Sequence, residues 1–207
     1  MTKILLLRHG HVDGIKPERF RGRADLALTE RGRAEAQAVA GRIASGWRPR
    51  HVYTSPARRC IATAATVAEA CGLEPRVLDD LNDIDYGAWQ SRSYDEVRAA
   101  EPELFAAWMT TPHLVGFPGG ESLPDVVART ARALRFILAR HAEETVVAVS
   151  HDSANRALLM QLLDQPLAAY WRLTQDPCCI NEIDIVGGTI RVLRINETHH
   201  LAGIAGA

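Results

Sequence analysis

The segment Ile4-Leu5-Leu6-Leu7-Arg8-His9-Gly10 decides the fold of this chain. Four consecutive aliphatic residues that end at a glycine are typical of a strand buried on both faces, as in a parallel sheet covered by helices. The carboxyl ends of such strands open onto the ligand crevice of an α/β sheet. We therefore expect a site at Arg8, His9 and Gly10, although an isolated Arg-His-Gly would more simply be a capped strand end.

Strand and helix signals alternate along the rest of the chain. Predicted strands occupy residues 51–54, 76–78 and 145–150, and predicted helices occupy residues 30–46, 56–72, 122–140 and 154–163. Because strands that alternate with helices form βαβ units, the sequence predicts an α/β fold, a three-layer α/β/α sandwich with a mostly parallel central sheet. Residues 1–207 are expected to form a single domain with a small helical insertion at roughly residues 88–120.

The carboxyl-terminal region carries a different pattern. Residues 181–186 and 189–195 alternate between apolar and polar side chains on either side of Gly187-Gly188, which predicts a β-hairpin with a two-residue turn. The tail, residues 201–207, consists mainly of small residues and is expected to be loose.

Composition limits the classes of partner. The chain has 207 residues and a formal net charge of -1, so no overall field favours nucleic acid or an anionic membrane. No apolar run is long enough for a membrane span, and the amino terminus does not have the pattern of a signal peptide. The four cysteines show no Cys-x-x-Cys spacing. These features predict a cytoplasmic protein with reduced thiols and no cofactor.

A second aliphatic strand ends in Ser150-His151-Asp152, so His151 is predicted to meet His9 at the same edge of the sheet. Arg58 and Arg59 fall at the start of a helix, where cations oppose the helix dipole and an anionic partner is expected. Histidine can act as a covalent nucleophile, guanidinium groups match phosphoryl oxygens, and a carboxylic acid can protonate a leaving alkoxide. This combination predicts phosphoryl chemistry that needs no metal.

The chain also carries six motifs of one known family, in the family's order, between residue 4 and about residue 160. They are Leu7-Arg8-His9-Gly10; Arg19-Phe20-Arg21-Gly22 with Asp25 and Leu28-Thr29; Ser55-Pro56 with Arg59 and Thr63; Leu81 with Asp83 and Gly87; Gly119-Gly120-Glu121-Ser122; and Ser150-His151. In these motifs the chain resembles the histidine phosphatase family, in its phosphoglycerate mutase-like branch.

The resemblance implies a role for each matched residue. His9 would be the nucleophile that becomes phosphohistidine, within a phosphate pocket formed by Arg8, Arg59 and His151. The turn at Arg21-Gly22 would close one side of this pocket. The expected substrate contacts are Gly10, His11, Arg21, Gly22 and Asp152, and the aromatic residues Trp89 and Phe117, with Arg23, are candidates for the mouth of the site.

The chain departs from the family pattern at the proton donor. The family's usual acid is a glutamate, and Asp83 stands in its place with a side chain one methylene shorter. The mutase-like branch usually has Ser-His-Gly, whereas Ser150-His151-Asp152 resembles the phytase-like branch, in which that aspartate is the acid. We expect Asp83 to be the donor and keep Asp152 as its rival.

Three alternatives remain open beside a phosphomonoester hydrolase acting on a small phosphorylated metabolite. His9-Gly10-His11-Val12-Asp13 matches a His-x-His-x-Asp spacing used by zinc hydrolases. A non-catalytic protein could retain the phosphate pocket, and a phosphoglycerate-type phosphomutase would use the same residues. The short insertion favours hydrolysis over mutase activity, and alpha-ribazole phosphatases have a similar length. The oligomeric state is left open, with a homodimer as one option.

Overall fold

A six-stranded sheet forms the centre of the protein. The computed structural model describes residues 1–204, and its strands are β1 (Thr2–Arg8), β2 (His51–Thr54), β3 (Pro75–Val77), β4 (Thr145–Ser150), β5 (Ile180–Val186) and β6 (Thr189–Glu197). Their order across the sheet is β3-β2-β4-β1-β5-β6. The strands β3, β2, β4 and β1 pair in parallel, whereas β5 pairs antiparallel with both β1 and β6. The predicted mostly parallel sheet and the hairpin are confirmed.

Helices cover both faces of the sheet. They are α1 (Glu30–Gly46), α2 (Arg58–Ala70), α3 (Tyr94–Ala100), α4 (Pro102–Thr110), α5 (Leu123–Arg140) and α6 (Asp152–Leu162). In β1, Leu5 and Leu7 pack on one side with α1 and α2, whereas Ile4 and Leu6 pack on the other side with α5 and α6. This two-sided burial explains why β1 is a continuous aliphatic run and confirms the three-layer sandwich.

The helix starts follow the capping signals of the sequence, with one exception. The side chain of Thr29 caps α1, and Ser93 and Ser122 form capping boxes at α3 and α5. The prediction that Ser55-Pro56 opens α2 is wrong, because α2 begins at Arg58 and its cap position makes no side-chain hydrogen bond. The Ser55 hydroxyl lies beside His151 instead.

The insertion, with α3 and α4, folds around an aromatic cluster. Phe20, from the loop after β1, stacks on Tyr94 of α3 with ring centroids 4.4 Å apart. The loop and the insertion also exchange backbone hydrogen bonds, from Phe20 N to the Arg92 carbonyl and from Ser91 N to the Phe20 carbonyl. Trp89 and Phe117 belong to this buried cluster. The suggestion that they line the mouth of the site is therefore wrong.

The carboxyl-terminal segment is partly fixed. Leu201, which falls in the tail expected to be loose, is buried in the same core as α1, so the prediction is wrong there. The last part of that tail, residues 205–207, lies outside the described residues. Within residues 1–204, none of the helices has the length and apolarity needed to cross a membrane.

Candidate active site

Parallel pairing of β1 with β4 brings two histidines together at one edge of the sheet. Arg8 pairs with Ser150 in this ladder, so the residues that follow, His9 and His151, leave the sheet side by side. Their rings meet edge to face, with an interplanar angle of 66° and centroids 5.2 Å apart. The prediction that His9 and His151 meet at one edge of the sheet is confirmed, and both side chains are buried.

The hydrogen bonds of His9 define which ring nitrogen is free to react. Nδ1 donates to the carbonyl of its neighbour Gly10 over 2.7 Å, so the lone pair is on Nε2. Burial, with the charges of Arg59, His151 and Arg8, lowers the pKa of His9 well below its ordinary value. The ring is therefore neutral at physiological pH, as a nucleophile has to be.

Arg59 holds the centre of the site together. Its Nε donates to Nε2 of His9 at 3.1 Å, and its Nη2 donates to Oδ2 of Asp83 at 3.1 Å. The carbonyls of Gly22 and Ala24 accept two further hydrogen bonds, at 2.6 and 2.9 Å. The carboxylate of Asp83 is the anionic partner expected at the start of α2, and the neighbouring Arg58 is exposed.

His151 is oriented by partners on both ring nitrogens. Nδ1 accepts a hydrogen bond from Nη2 of Arg59 at 3.1 Å, and Nε2 donates to the Ser55 hydroxyl at 2.7 Å. Burial lowers the pKa of His151 well below its ordinary value, and Arg59 acts in the same direction. A phosphate dianion in the site would oppose that shift, because a negative charge favours the protonated ring.

The two candidate acids have different surroundings. Oδ1 of Asp83 accepts hydrogen bonds from the Ile84 backbone and the Ser153 hydroxyl, so its Oδ2 faces Arg59 and lies 3.5 Å from Nδ1 of His151. The carboxylate of Asp152 pairs with Arg156 at 2.7 Å, one helical turn further along α6. Both aspartates line one pocket, but only Asp83 shares hydrogen-bonding partners with the two histidines.

Two glycines allow the loop after β1 to approach α1 closely. A Cβ atom on Gly10 would lie 2.4 Å from the carbonyl oxygen of Gly32, and a Cβ on Gly32 would lie 2.1 Å from that of His11. Only glycine fits either position without movement of the backbone. The Gly10 amide donates to the Thr63 hydroxyl of α2 at 3.1 Å, which fixes the turn that carries His9.

The other predicted contact residues lie around this centre. Arg21, Gly22 and Asp152 line the pocket, and Arg21 also donates to the Gly14 carbonyl. His11 instead contacts the start of α1, with Nδ1 3.0 Å from the Thr29 hydroxyl and its amide donating to Glu35. These contacts fix the His11 backbone and ring, and a role in substrate binding stays a prediction.

The pattern His9-x-His11-x-Asp13 does not gather metal ligands. The ring nitrogens of His9 and His11 have separate hydrogen-bonding partners. Across residues 1–204, one group of at least three His, Cys, Asp or Glu side chains brings its ligand atoms within 4.8 Å of one another, and it contains none of these residues. The zinc-hydrolase alternative therefore has no geometric support.

Some contacts of the site could not be found from sequence motifs. Ser153, which holds Asp83, carries no pattern that distinguishes it from other helical serines. Ser55 was assigned as a helix cap, although its hydroxyl contacts His151. Gln175, whose carbonyl accepts from Arg8, lies in an irregular segment before β5. Tertiary folding alone brings these three residues to the strand ends.

Comparison with known proteins identifies the family of the chain. The model of the histidine phosphatase superfamily (branch 1) matches residues 4–198. Phosphoserine phosphatase 1 of Hydrogenobacter thermophilus is 34% identical over 97% of this chain and 95% of its own length. Among solved structures, Bacillus stearothermophilus YhfR superposes with a TM-score of 0.92 at 29% identity, covering 97% of this chain and 100% of that one. A mycobacterial glucosyl-3-phosphoglycerate phosphatase superposes with a TM-score of 0.85 at 27% identity, covering 95% and 99%. The chain belongs to the histidine phosphatase superfamily, branch 1.

Proposed function

We propose that the protein hydrolyses small phosphomonoesters through a phosphohistidine formed on Nε2 of His9. The observation that carries the proposal is the neutral, buried His9 ring, whose Nδ1 donates to Gly10 while Nε2 faces the guanidinium of Arg59. A phosphoryl group placed between these two residues meets a nucleophile and a cation at once.

The steps follow from the contacts. Nε2 of His9 attacks phosphorus, and Arg59 and His151 stabilise the charge on the equatorial oxygens. Nε of Arg8 is buried and has no hydrogen-bond partner within residues 1–204, so a phosphate oxygen can satisfy it. A proton brought by the phosphomonoester passes through the carboxyl group of Asp83 to the leaving alkoxide. The resulting Asp83 carboxylate then takes a proton from the water that attacks the phosphohistidine and releases phosphate.

The pocket beyond the phosphate supports an amphoteric substrate. Arg19 and Arg21 offer positive charge, Asp152 offers negative charge, and Tyr86 adds a hydroxyl. A substrate with both a carboxylate and an ammonium group fits these charges, and a relative that covers nearly the whole chain is named phosphoserine phosphatase. We therefore place phosphoserine first among the substrates to be tested.

We also propose a cytoplasmic location, which the four free cysteines Cys60, Cys71, Cys178 and Cys179 support.

Rapid-quench experiments with radiolabelled phosphoserine test the reaction. We expect burst labelling of the wild-type protein, acid-labile and base-stable as a phosphohistidine is, followed by steady release of phosphate, and neither event in His9→Ala. Vanadate should inhibit and a chelator should not. Efficient exchange of labelled phosphate between phosphoglycerates, with little release of phosphate to water, would instead assign a phosphomutase.

A further inference from the structure

A second cluster of metal-ligand-type side chains lies at the amino-terminal ends of the parallel strands. His9 lies at their opposite, carboxyl-terminal ends. His51 begins β2, His141 follows α5, and Glu144 directly precedes β4. Their ligand atoms all lie within 4.8 Å of one another. Because Glu144 and His151 flank the six residues of β4, the two sites are roughly 23 Å apart along the strand.

The cluster is organised around one carboxylate oxygen. Oε2 of Glu144 accepts hydrogen bonds from Nε2 of His51 at 2.9 Å and from Nδ1 of His141 at 3.0 Å. The two imidazole rings lie against each other, with centroids 3.9 Å apart. One nitrogen from each ring and one carboxylate oxygen thus converge on a single point.

Two histidines and one glutamate form a donor set that suits zinc and similar divalent transition ions. Tetrahedral zinc holds such ligand atoms about 3.3 Å apart, since its bonds to nitrogen and oxygen are near 2.0–2.1 Å. The separations of the two histidine nitrogens from Oε2 of Glu144, 2.9 and 3.0 Å, are a few tenths of an ångström shorter. Glu144 directly follows a turn and its side chain is 34% exposed, so it can move outward by this amount.

A buried tyrosine supports the ring that would bind metal through Nδ1. The hydroxyl of Tyr53 lies 2.9 Å from Nε2 of His141, and both side chains are almost fully buried. A hydroxyl can donate or accept, so it can accept a hydrogen bond from the protonated Nε2 when Nδ1 of His141 binds a metal ion. Ligand histidines are commonly held in this way through their second nitrogen.

We propose that His51, His141 and Glu144 form a structural site for one divalent transition ion such as Zn²⁺, with water completing the coordination. The ion would join the start of β2, the end of α5 and the turn before β4. Its role is in stability, because the site lies at the edge of the sheet opposite to the nucleophile. Phosphatase activity does not require it.

Titration of the metal-free full-length protein with Zn²⁺ alone tests the site, with calorimetry and metal analysis after dialysis as readouts. We expect one ion per chain in the wild type. The bound ion should be lost in His51→Gln and in Glu144→Gln, and retained in the control His199→Gln, which changes an exposed histidine elsewhere. Tyr53→Phe should weaken affinity about 10- to 100-fold, as expected for a residue that orients a ligand.

Thermal unfolding gives an independent readout. Zn²⁺ at a hundredfold excess over its Kd should raise the Tm of the wild type by about 5–10 °C and leave the Tm values of His51→Gln and Glu144→Gln unchanged. Hydrolysis of p-nitrophenyl phosphate by the variants checks that they are folded. Absence of stoichiometric binding, or equal binding by wild type and both ligand variants, would show that the cluster is only a hydrogen-bonded ion pair.

Discussion

Arg59 donates a hydrogen bond from Nε to Nε2 of His9 over 3.1 Å, so the proposed phosphate-binding cation and the proposed nucleophile are in direct contact. The same guanidinium is fixed by the carbonyls of Gly22 and Ala24. Because backbone groups hold the cation, the guanidinium stays in place when an arriving phosphoryl group breaks the hydrogen bond between Arg59 and Nε2 of His9.

Replacing Arg59 by lysine should lower kcat about 10²- to 10³-fold, because an ammonium group cannot contact His9, Asp83 and the phosphoryl oxygens together. Steady-state hydrolysis of phosphoserine measures the loss. The adjacent Arg58→Lys is the matched control, since Arg58 is exposed and should tolerate the change. Equal losses in both variants would contradict the central position given to Arg59.

Asp83→Asn should lower kcat/KM for alkyl phosphates such as phosphoserine about 10²- to 10⁴-fold, because the leaving alkoxide then lacks its proton donor. Hydrolysis of p-nitrophenyl phosphate should suffer much less, since its leaving group departs as a stable anion. Asp152→Asn should not show this dependence on the leaving group. If it does, and Asp83→Asn does not, the acid is Asp152.

Acid should destabilise the fold through its buried histidines. His9 and His151 are neutral in the folded protein because burial lowers their pKa, whereas the unfolded chain binds protons below about pH 6.5. Stability is therefore present above pH 6.5 and is lost as the pH falls toward the folded-state pKa. Urea unfolding measures the free energy of unfolding between pH 5 and 8. In His151→Gln this free energy should change less steeply with pH than in the wild type, by up to about 1.4 kcal/mol per pH unit. The exposed His199→Gln should leave the slope unchanged.

Gly32→Ala should destabilise the protein by about 1–3 kcal/mol, because the new Cβ overlaps the His11 carbonyl. Gly41→Ala, in the same helix, meets nothing within 4 Å and should stabilise the fold by about 0.5–1 kcal/mol. Thermal unfolding compares the two. Opposite signs are expected, and a stabilised Gly32→Ala would contradict the close approach between the loop and α1.

The sequence predicts most of the frame because local signals and burial agree there. The aliphatic runs that become β1 and β4, the cap at Thr29 and the turn at Gly187-Gly188 all depend on neighbouring residues. The predicted start of α2 was wrong because the Ser55 hydroxyl, which was expected to cap the helix, contacts His151, a residue far away in the chain. Trp89 and Phe117 were misplaced for a similar reason, since a loop aromatic carries no sign of the cluster that buries it.

The stacking of Phe20 on Tyr94 has a consequence for how substrate preference can diverge in this fold. Phe20 lies two residues before Gly22, whose carbonyl holds Arg59, and it is anchored by the insertion rather than by the sheet. A recombined or grafted insertion would therefore have to supply its own stacking surface for Phe20. Without one, a change intended to alter recognition would also release the guanidinium on which turnover depends.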